Sequence, residues 1–197
     1  MRQSVPSSLT TTQPNFRALL PVRGWEGPFI PLTTQTGSTN TVTIEYRSAL
    51  PGDAAECIRL RGLTRENAIS ERRLAEIGIT TQSWAEDIRS GELPGYICRD
   101  GDEMVGYCFG ASRTGEIVVL VALPSHEGRG IARRLLGLAS DALAQLGHQR
   151  LFLGCSSNPN VRSYGFYRHL GWRSTGEIDQ YGDEILEFHL PSPAGVA

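Results

Sequence analysis

The sequence predicts one α/β domain: a mixed sheet of six to seven strands with helices on both faces, preceded by an irregular arm. Three observations predict it. Apolar runs with strand-like spacing alternate with helical stripes from about residue 41 to residue 190. The element order reads strand, helices, three strands, helix, strand, helix, two strands, which suits a sheet covered on both faces. The length, 197 residues, is that of an ordinary single domain, able to bury roughly two-thirds of the surface its unfolded chain exposes.

Residues 1–40 hold five prolines, eleven Ser/Thr and four charged residues, without a sustained apolar period. They predict an irregular N-terminal arm. The domain begins near Thr41, where Thr41-Val-Thr-Ile-Glu-Tyr-Arg alternates as a half-buried strand. Pro51-Gly52-Asp53 is a turn leading into a helix that runs to about Arg61. Residues 70–77 and 82–89 read as short helices. Residues 95–99 and 104–111 read as strands joined by Asp100-Gly101-Asp102. Residues 116–123 form an unbroken apolar strand after Glu116, so that strand should be central. Residues 128–146 predict a helix with a stripe at 131, 135, 138, 142 and 146, closed by Gly147. A strand at 150–155, a helix at 160–170 and strands at 172–180 and 184–190 complete the domain, and residues 191–197 are a C-terminal tail.

Composition narrows the function. A formal net charge of −2 argues against a polycation built for nucleic acid. The longest apolar run, residues 117–123, is seven residues, far short of the roughly 20 needed to span a bilayer, so no membrane partner is expected. The N-terminus lacks an apolar segment of secretory type. The four cysteines form no C-x-x-C pair and read as reduced, buried thiols of a cytoplasmic protein. His126, His148, His169 and His189 show no ligand spacing, so no metal is expected. All 19 basic residues are Arg, which removes any mechanism built on a catalytic lysine.

The most informative segment is Leu123-Pro-Ser-His-Glu-Gly-Arg-Gly-Ile-Ala-Arg-Arg. A buried strand passes through a short loop into a helix. The first N–H groups of a helix lack internal partners, and that end of the dipole is partly positive. Gly128 and Gly130 let an anion reach the backbone, and Arg129, Arg133 and Arg134 add charge. The segment predicts an anion site, best suited to a pyrophosphate. A dinucleotide G-x-G-x-x-G reading fails, because Arg133 stands where the third glycine belongs. Residues 124–173 carry seven Arg against two acids, and residues 53–103 carry seven Arg against eleven acids. A basic half thus suits a polyphosphate, and an acidic half suits a cationic acceptor.

Glu127-Gly-Arg-Gly-Ile-Ala resembles the Q/R-x-x-G-x-G/A element of the GCN5-related N-acetyltransferase (GNAT) superfamily, with Gly130 and Ala132 matching its last two positions. Glu127 departs from the usual Gln or Arg. Asn160-Val-Arg-Ser-Tyr-Gly-Phe-Tyr-Arg-His-Leu-Gly-Trp resembles a second element, N-x-x-A-x-x-x-Y-x-x-x-G-F, with Ser163 for Ala and Trp172 for Phe. The resemblance covers about residues 41–190. It implies a mostly antiparallel sheet with a splayed central strand pair, and acetyl-coenzyme A as cosubstrate. It implies a donor site of Leu120, Val121 and Ala122 at the opened strand edge along the pantetheine arm, residues 127–133 (Glu127, Gly128, Arg129, Gly130, Ile131, Ala132 and Arg133) around the pyrophosphate, and Asn160 and Tyr167 as further cofactor-binding residues.

The resemblance further makes Tyr167 the general acid toward the coenzyme thiolate, and Glu116, opening Glu116-Ile-Val-Val, the base that deprotonates the amine. Alternation places Glu116 with Val118, Leu120 and Ala122 on one face, and Tyr167 seven residues after Asn160 shares its helical face. The oxyanion donor is expected to be the N–H of Leu120 or Val121. Tyr46, Arg61, Asn67, Trp84, Tyr107 and Tyr181 are candidate acceptor linings. The expected activity is acetyl transfer to a primary amine of a small molecule or peptide. Whether the chain also forms a homodimer stays open, and so does the alternative of a non-catalytic coenzyme A-binding regulatory or interaction module.

Overall fold

A computed structural model describes residues 44–66 and 68–191. The arm at 1–40, the first three residues of the predicted strand at 41–47, Asn67 and all but the first residue of the tail lie outside them. The elements are β1 (Ile44–Ser48), α1 (Ala54–Arg61), α2 (Glu71–Glu76), α3 (Thr81–Ser90), β2 (Gly95–Asp100), β3 (Glu103–Gly110), β4 (Ile117–Ala122), α4 (Ile131–Gln145), β5 (Arg150–Ser156), α5 (Arg162–His169), β6 (Arg173–Ile178) and β7 (Asp183–His189). Among the described residues no helix is long and apolar enough to cross a membrane.

The strands form two antiparallel sheets, ordered β1-β2-β3-β4 and β5-β7-β6. The sheets meet at an isolated parallel bridge between Glu116 and Phe152, with the Phe152 N–H donating to the Gly115 carbonyl at 3.2 Å. Beyond it, β4 and β5 no longer pair, which is the splayed central pair of the expected fold.

The faces can be assigned from two glycines of β3. A Cβ on Gly106 would meet Leu135 and Ile131, and one on Gly110 would lie 2.7 Å from Leu143. Both strand positions therefore lie directly under α4. Their odd-numbered neighbours Tyr107 and Phe109 point to the other side, where Trp84 of α3 packs edge-on against both, with ring centroids 5.7 and 5.4 Å away. Helices thus cover both faces, as the element order predicts.

Local capping explains the helix limits. Ser70 caps α2 by accepting from the Arg73 N–H, and Thr80 and Ser83 cap α3 reciprocally. The apolar seam of α4 is Ile131, Leu135, Ala139 and Leu143, with Ala132 and Leu136 beside it. The predicted stripe at 138, 142 and 146 drifts off this seam, and Leu146 is 57% exposed. At about 100° per residue, the buried positions 131, 132, 135, 136, 139 and 143 centre further round the helix than the predicted stripe, whose positions 138 and 142 fall at the margin and are half-buried. The four cysteines are free and buried.

Candidate active site

The site is built where the sheet opens. The register along β3 and β4 pairs Phe109 with Val119 but Gly110 with Ile117, so a bulge falls at Val118. Directly opposed residues share a face. Ile117 therefore faces α4 with Gly110, and Glu116 faces the α1–α3 side. Strict alternation would have set Glu116 with Leu120 and Ala122. The extra residue inverts it, so Glu116 stands at the vertex of the gap, half-buried, on the face of Tyr107 and Phe109.

The same register decides which backbone groups face the gap. The Leu123 N–H donates to the Val105 carbonyl at 2.8 Å, which makes Val121 and Val119 the residues bonded to β3. The Val121 carbonyl accordingly lies against Gly106, 2.7 Å from where its Cβ would be. Of the three expected edge residues, Leu120 and Ala122 present N–H and C=O to the opening. Val121 turns its own toward Tyr107, which removes it as an oxyanion donor. The side chains of Leu120 and Val121 are core.

Beyond Ala122 a 3-10 turn (Pro124–His126) leads into the anion loop. Gly128 and Gly130 hold φ of +75° and +78°, a left-handed conformation that keeps residues 128–130 out of the helix predicted to start there. No atom lies within 4 Å of a Cβ placed on either glycine, so the loop backbone is open to a ligand. The first intrahelical bond runs from the Arg134 N–H to the Gly130 carbonyl at 3.0 Å. The N–H groups of Ile131, Ala132 and Arg133 thus open the helix without intrahelical partners. Arg129, Arg133 and Arg134 are exposed around them. Arg129 reaches Asp100 at 3.5 Å, and Asp100 also holds His126 Nε2 at 2.9 Å while His126 Nδ1 meets Ser125 Oγ at 2.8 Å. This chain of contacts ties the loop to the end of β2.

Glu127 is turned inward. Its carboxylate pairs with Arg162, the first residue of α5, and with Arg65 from the α1–α2 connection at 3.3 Å. None of Arg65, Arg162, Asp100 and His126 is singled out by the sequence. Their partners lie 26 to 62 residues away in the chain, or in an adjoining loop. The one available signal is the acidic residue at a position that otherwise carries Gln or Arg.

Tyr167 is wholly buried in α5, with its ring edge-on to Phe166 and Trp172. Its hydroxyl makes no hydrogen bond. Burial lifts the phenol well above its ordinary value of 10.0, with the neighbouring Cys155 and Cys108 sulfurs adding to the effect. Cys108 opposes Leu120 and shares the α4 side with it, so Tyr167, a neighbour of Cys108, lies on the side of the sheet opposite Glu116. Asn160 does not share a helical face with Tyr167. It sits in the exposed turn before α5, whose cap is Val161, with its N–H bonded to Asn158 Oδ1 at 3.0 Å.

Two of the expected acceptor linings, Trp84 and Tyr107, are core residues packed on each other and on Phe109. Arg61 is buried at the end of α1, where loss of solvation lowers its pKa and Tyr107 works against that shift. Tyr46 is half-buried, and burial pushes its phenol up to about 12. Tyr181 is exposed between β6 and β7, and Asn67 lies outside the described residues. Among the described residues no group of three or more His, Cys, Asp or Glu could hold a metal ion.

The chain is an α/β domain whose sheet opens beside a glycine-bounded loop at the start of a helix. Residues 60–172 match the acetyltransferase (GNAT) family, and the chain belongs to that family. Similar solved structures include the PaiA N-acetyltransferase of Thermoplasma acidophilum in complex with coenzyme A (18% identity, TM-score 0.63, covering 75% of this chain and 99% of that one). YncA of Salmonella typhimurium, a putative acetyltransferase with acetyl-CoA, aligns at 17% identity and TM-score 0.57 over 77% and 96% of the two chains. The ribosomal-protein-S18-alanine N-acetyltransferase of Escherichia coli aligns at 15% identity and TM-score 0.56 over 76% and 94%. No curated protein matches the sequence.

Proposed function

We propose that this protein transfers the acetyl group of acetyl-coenzyme A directly to a primary amine. The observation that carries the reading is the coincidence of two features at one end of β4: an unpaired strand edge at Leu120 and Ala122, and a loop whose amides and arginines suit a diphosphate. When bound, the cosubstrate supplies an activated thioester.

The residues divide the work. Glu116, through a water or directly, takes the proton that the amine must lose. The Leu120 N–H stabilises the charge that develops on the carbonyl oxygen. Tyr167, held neutral by burial, gives its proton to the departing sulfur. Loop residues 127–133, with Gly128 and Gly130 giving access to the backbone, orient the donor. Asn160, at the mouth of α5, completes the pantetheine side.

A route through a cysteine acyl-enzyme is disfavoured on chemistry. It needs a thiolate, and burial raises all four thiols, Cys98 and Cys155 to about 11. The acidic half of the chain favours a cationic acceptor, whether a small amine or a peptide amine such as the alanine for which one similar structure is named.

The test is a panel of polyamines, amino acids, aminoglycosides and basic peptides, assayed with acetyl-coenzyme A for free thiol. Saturable, amine-dependent thiol release supports the reading. Donor binding by calorimetry with no release from any amine would favour a coenzyme-binding regulatory module. Absence of binding heat at millimolar donor would end both.

A further inference from the structure

The two walls of the donor gap have no strand pairing to hold them together. One wall is β4 with the anion loop, and the other is β5 with α5. Their ladder stops at Glu116 and Phe152. A side-chain tie crosses further along. Glu127 of the loop pairs with Arg162, which begins α5, and both are withdrawn from water, at 14% and 5% side-chain exposure. Tyr167 lies five residues beyond Arg162 on the same rigid helix, about 7.5 Å along its axis. The distance from loop to α5 thus sets where the phenol sits relative to a donor held by the loop.

The charge of Glu127 also needs an explanation. A carboxylate inside a loop that binds an anion opposes its own ligand unless a cation cancels it. Arg162 provides that cancellation in a poorly solvated place. Neither Nε nor the paired terminal nitrogen of Arg162 makes a hydrogen bond, so its contact with Glu127 is a close ion pair held by charge. Arg65, at 50% exposure, is a looser second partner.

We propose that Glu127, acting through Arg162, is a positioning residue that fixes the width of the donor gap and so holds the Tyr167 hydroxyl against the leaving sulfur. This rests on the acetyltransferase reading above. It separates two effects that a merely structural ion pair would not separate. Removing either charge loosens α5 and lowers kcat, whereas donor affinity falls for only one of the two. Arg162→Gln leaves the carboxylate balanced only by the half-exposed Arg65 beside the phosphates and weakens binding. Glu127→Gln leaves an uncancelled cation and does not weaken it.

The experiment measures acetyl-coenzyme A binding by calorimetry and kcat by thiol release, for both variants alone and in a Tyr167→Phe background. Thermal unfolding confirms the fold, and the exchanged pair Glu127→Arg with Arg162→Glu serves as the second variant. We expect kcat to fall about 10- to 100-fold for each single change, as for a misplacement near 1 Å. Donor Kd should rise for Arg162→Gln only, and the exchanged pair should recover kcat. In the Tyr167→Phe background, Glu127→Gln should produce no further loss. A full, additive loss in that background overturns the inference, as does an unchanged kcat in the single variants or a weakened donor Kd in both. If Tyr167→Phe alone leaves kcat intact, the acid assignment fails instead, so the two failures are distinguishable.

Discussion

Tyr167→Phe should make the protein slower and more heat-stable at once. The hydroxyl is fully buried and makes no hydrogen bond. Burying an unsatisfied hydroxyl costs about 1–3 kcal/mol, and deleting the oxygen leaves a void of about one atom that returns part of this. A net gain of about 1–2 kcal/mol raises the unfolding midpoint by about 2–8 °C for a domain of this size. On the proposed acid role, the same deletion removes the proton donor for the departing thiolate and lowers kcat about 10²- to 10⁴-fold. The assays are ligand-free scanning calorimetry and thiol release at saturating donor.

A pH series adds a sign check. The folded state holds the Tyr167 phenol well above its ordinary 10.0, so its contribution to stability is present below that value and is lost as pH rises past it. Tyr107, equally buried and raised, behaves alike. The variant should therefore lose only the Tyr167 share of the alkaline destabilisation and keep the shares of Tyr107, Tyr46 and the four raised thiols. Undiminished thiol release would refute the acid role. A lowered midpoint would refute the claim that the hydroxyl is held unsatisfied.

Glu116→Gln should depress kcat most at pH 6 and least at pH 9, because an amine that is already neutral needs no base; an equal rate to wild type across that range would remove Glu116 from the chemistry. Asp53→Asn should destabilise by about 1–2 kcal/mol at pH 7. Desolvation pushes the Asp53 carboxyl up, but two Arg47 bonds at 2.7 and 2.8 Å and the Leu50 N–H at 2.7 Å outweigh it and hold it below 3.8. Its stabilisation is thus present above the ordinary carboxylate range and lost as pH falls through the folded value, so denaturant unfolding of variant and wild type should converge in acid. Gly106→Ala places a Cβ 2.7 Å from the Val121 carbonyl. It should cost about 1–3 kcal/mol and weaken donor binding by displacing the end of β4, whereas unchanged melting would show that the strand can yield.

The fold is legible in the sequence because its signals are local. Pro51-Gly52-Asp53, the Asp100–Asp102 turn, the apolar run at 117–123 and the glycine-bounded loop each act over a few residues, and the structure has an element or a turn at each. The candidate site is less legible. The bulge at Val118 leaves no mark in a run of Ile, Val and Leu, since any of these residues fits either face. The burial of Trp84 and Tyr107, taken as pocket linings, depends on how three helices close over the sheet. The Asp100–His126 contact and the Arg162 partner of Glu127 involve residues that are unremarkable until the chain is folded. Asn160 falls outside α5 because the helix is capped at Val161, so its seven-residue spacing to Tyr167 spans the cap.

On the proposed roles of Glu116 and Tyr167, the bulge gives the arrangement a chemical sense. A regular β4 would carry Glu116 on the α4 side, where Tyr167 comes in. Base and acid would then crowd one side of the thioester, and the amine would have to enter where the thiolate leaves. One extra residue at Val118 turns Glu116 to the α1–α3 side and leaves the backbone of Leu120 and Ala122 facing the gap between them. An amine can then lose its proton on one side while the sulfur gains one on the other, with the developing oxyanion against the strand edge. That geometry favours a single displacement through a ternary complex, because both proton transfers are served without the protein holding the acyl group in between.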